Sequence, residues 1–115
     1  MHTLTLEFGD LEVNINKRYV FYKQKHISLP NQQYLLLVFL VENFEKIVSH
    51  KKILDEIFHG YCCSDAVGVG VAMLREKMSS KDLITTYRNT GYSINSAFLN
   101  ATQVLYKLNG KILTN

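Results

Sequence analysis

The sequence predicts an α+β chain: a small antiparallel sheet at the amino end, three helices, and a β-hairpin after the third helix. Three observations carry this. Short strand-like runs alternate with turn residues up to Pro30, the only proline. A strongly apolar helical stretch follows it, and Ser64 to Ile94 reads as a helix, a polar break and two strands around a tight turn.

Over residues 4–29 the runs TLEF, LEVNI, YVFY and HISL are separated by Gly9-Asp10, Asn16-Lys17-Arg18 and Lys23-Gln24-Lys25. Their β-branched and aromatic residues suit a pleated, half-buried surface. Pro30 stands where strand gives way to helix, a position that needs no backbone donor and favours a fixed φ. Asn31 to Asn43 carries Tyr34, Leu35, Leu37, Val38 and Val41, with Leu36, Phe39 and Leu40 making it apolar on nearly every side, as a central core helix should be. Ile47-Val48 is a brief strand. Ser49 then caps a helix from His50 to about Phe58, which turns Ile53, Leu54, Ile57 and Phe58 inward.

Ser64 or Asp65 is placed to cap the third helix. Val67, Val71, Leu74 and Met78 recur at i, i+4, i+7 and i+11, so one stripe faces a core and the opposite side is free. That free side is expected to hold Gly68, Val69, Gly70, Ala72 and Met73. After Ser79, Ser80 and Lys81 come the strand Leu83 to Tyr87, a polar tip at Arg88 to Thr90, and a return through Gly91, Tyr92 and Ile94. A helix lying beside a hairpin is a common way to present protein to duplex DNA.

Leu74-Arg75 followed by Thr86-x-Arg88-x-x-Gly91-Tyr92 resembles the closing signature of the OmpR/PhoB-type winged-helix domain, the transcriptional-regulator C-terminal family. Leu11 in GDLEV, Leu29 opening LPNQQYLLL, Val48-Ser49 followed by Leu54, and Phe58 where the family usually has Trp keep its order and spacing over about residues 4–94. The Thr86 to Tyr92 run resembles the ToxR-like subgroup of membrane-linked regulators. The resemblance implies a winged helix-turn-helix over residues 1–95, with 96–115 as a carboxy-terminal extension. It also implies a bacterial, cytoplasmic transcription regulator whose third helix turns toward the major groove and whose wing turns toward the minor groove. On that pattern Arg88 enters or borders the minor groove and Thr86 lies near a phosphate, flanked by Tyr87 and Asn89. The amino-terminal sheet would meet partner proteins, and the connection at 59–64 would touch RNA polymerase.

Composition sets the remaining bounds. A net charge of +3 and 47% hydrophobic residues describe one domain with a modest core, able to meet a polyanion but not strongly basic. No apolar run in this chain is long enough for a membrane span. Cys62 and Cys63 are adjacent and poorly placed to bridge each other, which fits a reducing cytoplasm. His59-x-x-Cys62-Cys63 supplies three soft ligands without an obvious fourth, so no metal is expected. No cofactor is expected either. With no glycine-rich phosphate loop, no paired carboxylates on a cleft and no triad context, no catalytic reading gains support.

Lys51 and Lys52 lie in the first turn of the second helix, against the helix dipole, where they are either phosphate contacts or solvated surface charges. On the third helix the usual donors and acceptors of a base-reading surface are replaced by small and apolar residues, and its two glycines each weaken it by about 1 kcal/mol relative to alanine. Three explanations stand. The helix can still enter the groove, Val69 and Ala72 touching thymine methyls while Arg75, Arg88 and the lysines fix position, which favours AT-rich double-stranded DNA. Alternatively, Val69, Ala72 and Met73 form an apolar patch for a protein partner, in a degenerate winged helix that modulates another regulator. Or this helix packs against its own tail or a second subunit in a homodimer. In the tail, Phe98 to Leu108 has near-helical spacing while Asn109-Gly110 is a type I′ hairpin signal, and the hairpin is the favoured reading.

Overall fold

The computed structural model describes residues 2–59 and 65–113. In chain order its elements are β1 (Leu4–Phe8), β2 (Leu11–Asn14), β3 (Tyr19–Tyr22), β4 (Lys25–Ile27), α1 (Asn31–Glu42), β5 (Val48–Ser49), α2 (His50–Ile57), α3 (Ala66–Lys77), β6 (Ile84–Tyr87), β7 (Gly91–Ile94), β8 (Leu105–Leu108) and β9 (Lys111–Ile112). They fall into two compact units: residues 1–28 with 96–115, and residues 29–95.

The first unit is a six-stranded sheet in the order β4-β3-β2-β1-β8-β9, antiparallel throughout. Strand alternation works as the sequence suggests: Leu6, Phe8, Leu11, Val13 and Val20 are buried. On the other face Glu7 stands opposite Glu12. Like charges in direct cross-strand register are unfavourable, and Lys107 of β8 offsets this one, its Nζ lying 2.8 Å from Glu7 Oε2.

The sheet is therefore closed by the far end of the chain. The tail forms a hairpin whose turn residues, Asn109 and Gly110, have φ of 52° and 83°, the two positive values a type I′ turn demands. Thr3 N donates to Asn109 Oδ1 at 2.8 Å, and Asn109 N donates to Thr3 O at 2.7 Å. Asp10 N donates to Leu99 O at 2.8 Å and Asn100 Nδ2 to Asp10 Oδ2 at 2.8 Å. Gly9 permits this approach. It adopts φ +59°, and a Cβ there would overlap the Leu99 carbonyl oxygen.

In the second unit, α1, α2 and α3 pack on one another and carry the three-stranded sheet β5-β7-β6. Leu36, Leu37, Leu40, Ile53, Val67, Val71 and Leu74 are almost wholly buried. Pro30 precedes α1 and its carbonyl accepts from Tyr34 N at 2.9 Å. Ser49 caps α2 as expected, its Oγ accepting from Lys52 N at 3.0 Å. The strand before it begins one residue later than Ile47.

Two expectations about α3 need correction. Asp65 makes no side-chain cap bond, because its backbone is already helical (φ −83°, ψ −6°) and its carboxylate cannot reach back over the free amides; Ser64 lies outside the described residues. Gly70 is buried rather than exposed. A Cβ there would sit 3.0 Å from Phe58 Cζ and 3.5 Å from Leu36 Cδ2, so this glycine lets α3 close onto α1 and the end of α2.

The carboxy end of α3 is a Schellman motif: Ser80 N donates to Arg75 O at 2.9 Å and Ser79 N to Glu76 O at 3.0 Å. Ser79 takes φ 54° at the position that glycine usually fills. Ser79→Gly is therefore expected to stabilise the domain by up to about 1 kcal/mol, read as a raised urea midpoint with unchanged slope; a lowered midpoint would contradict it.

Candidate nucleic-acid interface

The free face of α3 runs through Asp65, Gly68, Val69, Ala72, Met73 and Glu76, all exposed. Val69 and Met73 expose 54% and 43% of their surface, high values for apolar side chains. Gly68, Val69 and Ala72 have no side-chain hydrogen-bonding group, Met73 has only a weakly accepting sulfur, and the two end residues are carboxylates that repel phosphate. This face can touch a methyl group; its centre cannot make a bidentate hydrogen bond to a base.

Arg75 points elsewhere. Its Nη2 donates to Ile84 O at 2.5 Å and to Thr86 Oγ1 at 2.9 Å, tying the last turn of α3 to β6. Its Nε is buried without a partner among the described residues.

The wing, β6 and β7, pairs in register from Ile84 opposite Ile94 to Tyr87 opposite Gly91. Thr90 N closes the tip onto Tyr87 O at 2.9 Å. Asn89 takes φ 61° there, a conformation Asn tolerates better than most residues. Arg88, Asn89 and Thr90 are exposed, as are Thr86 and Tyr87, so the tip projects a cation with polar neighbours.

Lys51 and Lys52 are exposed in the first turn of α2. Lys51 is already paired, its Nζ 2.8 Å from Asp55 Oδ2, and this hydrogen bond and charge hold its pKa above the usual lysine value. It stays cationic at neutral pH, with part of its field compensated. Lys52 is the less encumbered of the two, its ammonium having no partner among the described residues. Between α2, α3 and β7, a shallow groove of about 420 Å³ is lined by His50, Asp65, Gly68, Val69, Ala72 and Tyr92.

Tyr92 lines this groove without being singled out by sequence as a candidate contact, whereas His50 stands in the same first turn as Lys51 and Lys52. Gly91-Tyr92 marks the returning strand in sequence, and only folding brings the Tyr92 hydroxyl to 4.0 Å from the position a Gly68 Cβ would take. Nothing in the sequence signals the Arg75 to Thr86 bond either.

A second concavity, about 500 Å³ and mostly apolar, lies beside the same helix, with Leu36, Phe58, Val69, Gly70 and Met73 in its walls. Gln33, also in its lining, is buried with Oε1 unpartnered among the described residues. The pair Cys62-Cys63 lies outside the described residues. Among those described, no group of three or more His, Cys, Asp or Glu side chains could hold a metal ion, and no helix is long and apolar enough to cross a membrane.

The model of the family described as "Transcriptional regulatory protein, C terminal" matches residues 24–94. The chain belongs to this family. Its fold is that of the family's winged helix. The DNA-binding domain of Klebsiella pneumoniae RstA, solved in complex with the RstA box, superposes with a TM-score of 0.71 at 23% identity, covering 80% of this chain and 97% of that one. DrrB, a Thermotoga maritima OmpR/PhoB homologue, gives a TM-score of 0.68 at 27% identity, covering 79% of this chain and 44% of its own. Among curated proteins, the probable transcriptional regulator ycf27 of Cyanophora paradoxa is 34% identical over 96 residues, 76% of this chain and 40% of the relative. Response regulator RR06 of Streptococcus pneumoniae is 30% identical over 90 residues, again 76% of this chain and 41% of the relative. The chain thus spans about 40% of the length of the curated relatives it matches. The family match ends at Ile94, before the tail hairpin that completes the six-stranded sheet.

Proposed function

We propose that this domain binds double-stranded DNA and serves transcriptional regulation, with α3 toward the major groove and the wing toward the minor groove. The observation that carries the reading is the wing tip, where Arg88 is exposed at the end of the paired β6–β7 hairpin between Tyr87 and Asn89. An arginine held there suits a narrow, AT-rich minor groove, whose negative potential is enhanced. Lys51 and Lys52 at the start of α2 supply the second cationic contact, toward phosphate. Val69, Ala72 and Met73 contribute shape and methyl contacts, which gives recognition weighted toward position and DNA form rather than a hydrogen-bond code. The domain works in the cytoplasm as a binding module and not as an enzyme; family relationship and the chemistry of the exposed face both support this.

Arg88→Ala is expected to weaken binding to AT-rich duplexes and to lower the dependence of log affinity on log salt by about one, measured by fluorescence anisotropy across a salt series. Parent-like binding and slope in the variant would remove Arg88 from the interface.

The apolar concavity beside Val69 and Met73 favours a second reading, in which the same helix docks a protein and the winged helix modulates another regulator. Met73→Glu separates the two: loss of protein capture with DNA affinity intact supports the second.

A further inference from the structure

The bond between Arg75 and Thr86 has a direction. A guanidinium donates and never accepts, so Thr86 Oγ1 is the acceptor of Arg75 Nη2 at 2.9 Å. The hydroxyl keeps its own hydrogen, for which the described residues offer no acceptor, and Thr86 is exposed on β6. A hydroxyl that accepts from a cation is polarised and donates more strongly in turn. The same Nη2 also donates to Ile84 O at 2.5 Å, which fixes the guanidinium to the backbone of the strand that carries Thr86. For Arg75 to reach DNA itself, both bonds would have to break and its half-buried side chain would have to leave its place.

We propose that Arg75 is a positioning residue for DNA binding: it holds the end of α3 to the wing and orients the Thr86 hydroxyl, which donates a hydrogen bond to a phosphate oxygen of the duplex. This rests on the DNA-binding reading above. The phosphate contact is then made by a neutral group, and the cation behind it displaces no counterion. Arg75 thereby contributes to affinity without contributing to the salt dependence that a direct cationic contact brings.

The test is a double-mutant cycle on the whole chain, by fluorescence anisotropy with a mixed-sequence and an AT-rich duplex across a salt series. Thermal unfolding establishes that each variant is folded. Arg75→Gln and Thr86→Val are each expected to weaken binding about tenfold with an unchanged salt slope. The double variant is expected to bind like Thr86→Val alone, and Thr86→Ser like the parent. A slope lowered by about one in Arg75→Gln would make Arg75 a direct phosphate contact and overturn the proposal. Additive losses in the double variant, or a Thr86→Ser as weak as Thr86→Val, would overturn it as well. If Arg75→Gln fails to fold, Arg75→Met takes its place in the cycle with the same outcomes, and a Thr86→Val that binds like the parent overturns the proposal by itself. A parent that binds neither duplex at low salt would overturn the DNA-binding reading itself, and this proposal with it.

Discussion

A chain cut after Asn95 is expected to lose the amino-terminal sheet together with the tail. Removing 96–115 takes away β8 and β9, strips the β1 edge of its hydrogen-bond partners, and removes Leu99, which is fully buried. It also leaves Glu7 facing Glu12 without Lys107. Burial of one leucine contributes roughly 1.5–3 kcal/mol, and the lost ladder and half-buried Leu105, Tyr106 and Leu108 add to it. The expected loss exceeds about 4 kcal/mol, a large part of the roughly 5–15 kcal/mol that a domain holds in total. Urea unfolding of the truncated and full chains measures it, with amide exchange reporting on residues 4–27. A truncated chain with the parent's midpoint would mean that the hairpin is an appendage, as a separate extension over 96–115 would have it.

Gly91→Ala is expected to be nearly as damaging, by about 3 kcal/mol or more. A Cβ there would overlap the Val48 carbonyl oxygen and lie 2.7 Å from Val48 C and 2.9 Å from Ser49 Cα. These are backbone atoms of the paired strand β5, so no rotamer change relieves the clash. Ser49 is also the cap of α2, and displacing it moves the first turn that carries Lys51 and Lys52. The variant should therefore unfold at lower temperature, and its folded fraction should bind DNA more weakly than the parent. An unchanged melting temperature would show that β5 can yield.

Much of the second unit was legible in sequence because its signals are local and redundant. The Val67, Val71, Leu74, Met78 stripe, the Ser49 cap and the polar tip at 88–90 each point to one structure, and all are found there. The β strands before Pro30 and the Asn109-Gly110 hairpin were equally plain. What local pattern could not supply was partnership across long separations. That the hairpin joins β1 depends on pairing Leu4 with Leu108, which no window of sequence contains. Sequence alone misplaces Gly70 because glycine carries no hydropathy signal, and its burial is decided by Phe58 and Leu36. At the candidate interface the exposure of Val69, Met73 and Arg88 follows from helix and turn geometry. The direction of Arg75 did not, since a long side chain at a helix end can reach solvent or a neighbouring strand with equal ease.

The order β4-β3-β2-β1-β8-β9 also bears on how the molecule comes into being. Residues 29–95 form a contiguous unit whose helices and wing need nothing from beyond Asn95 for their own pairing. The sheet is different, because its central strand β1 waits for β8, and the Thr3 to Asn109 bonds span 106 residues. Contacts of that separation carry a loop-closure cost and form late. On the ribosome, the helices and wing can fold while β1 to β4 remain a four-stranded sheet with an open edge, and the last hairpin seals it only once it has been synthesised. Until then the nascent chain exposes an unpaired strand, and the wing that would meet DNA is complete before the sheet is.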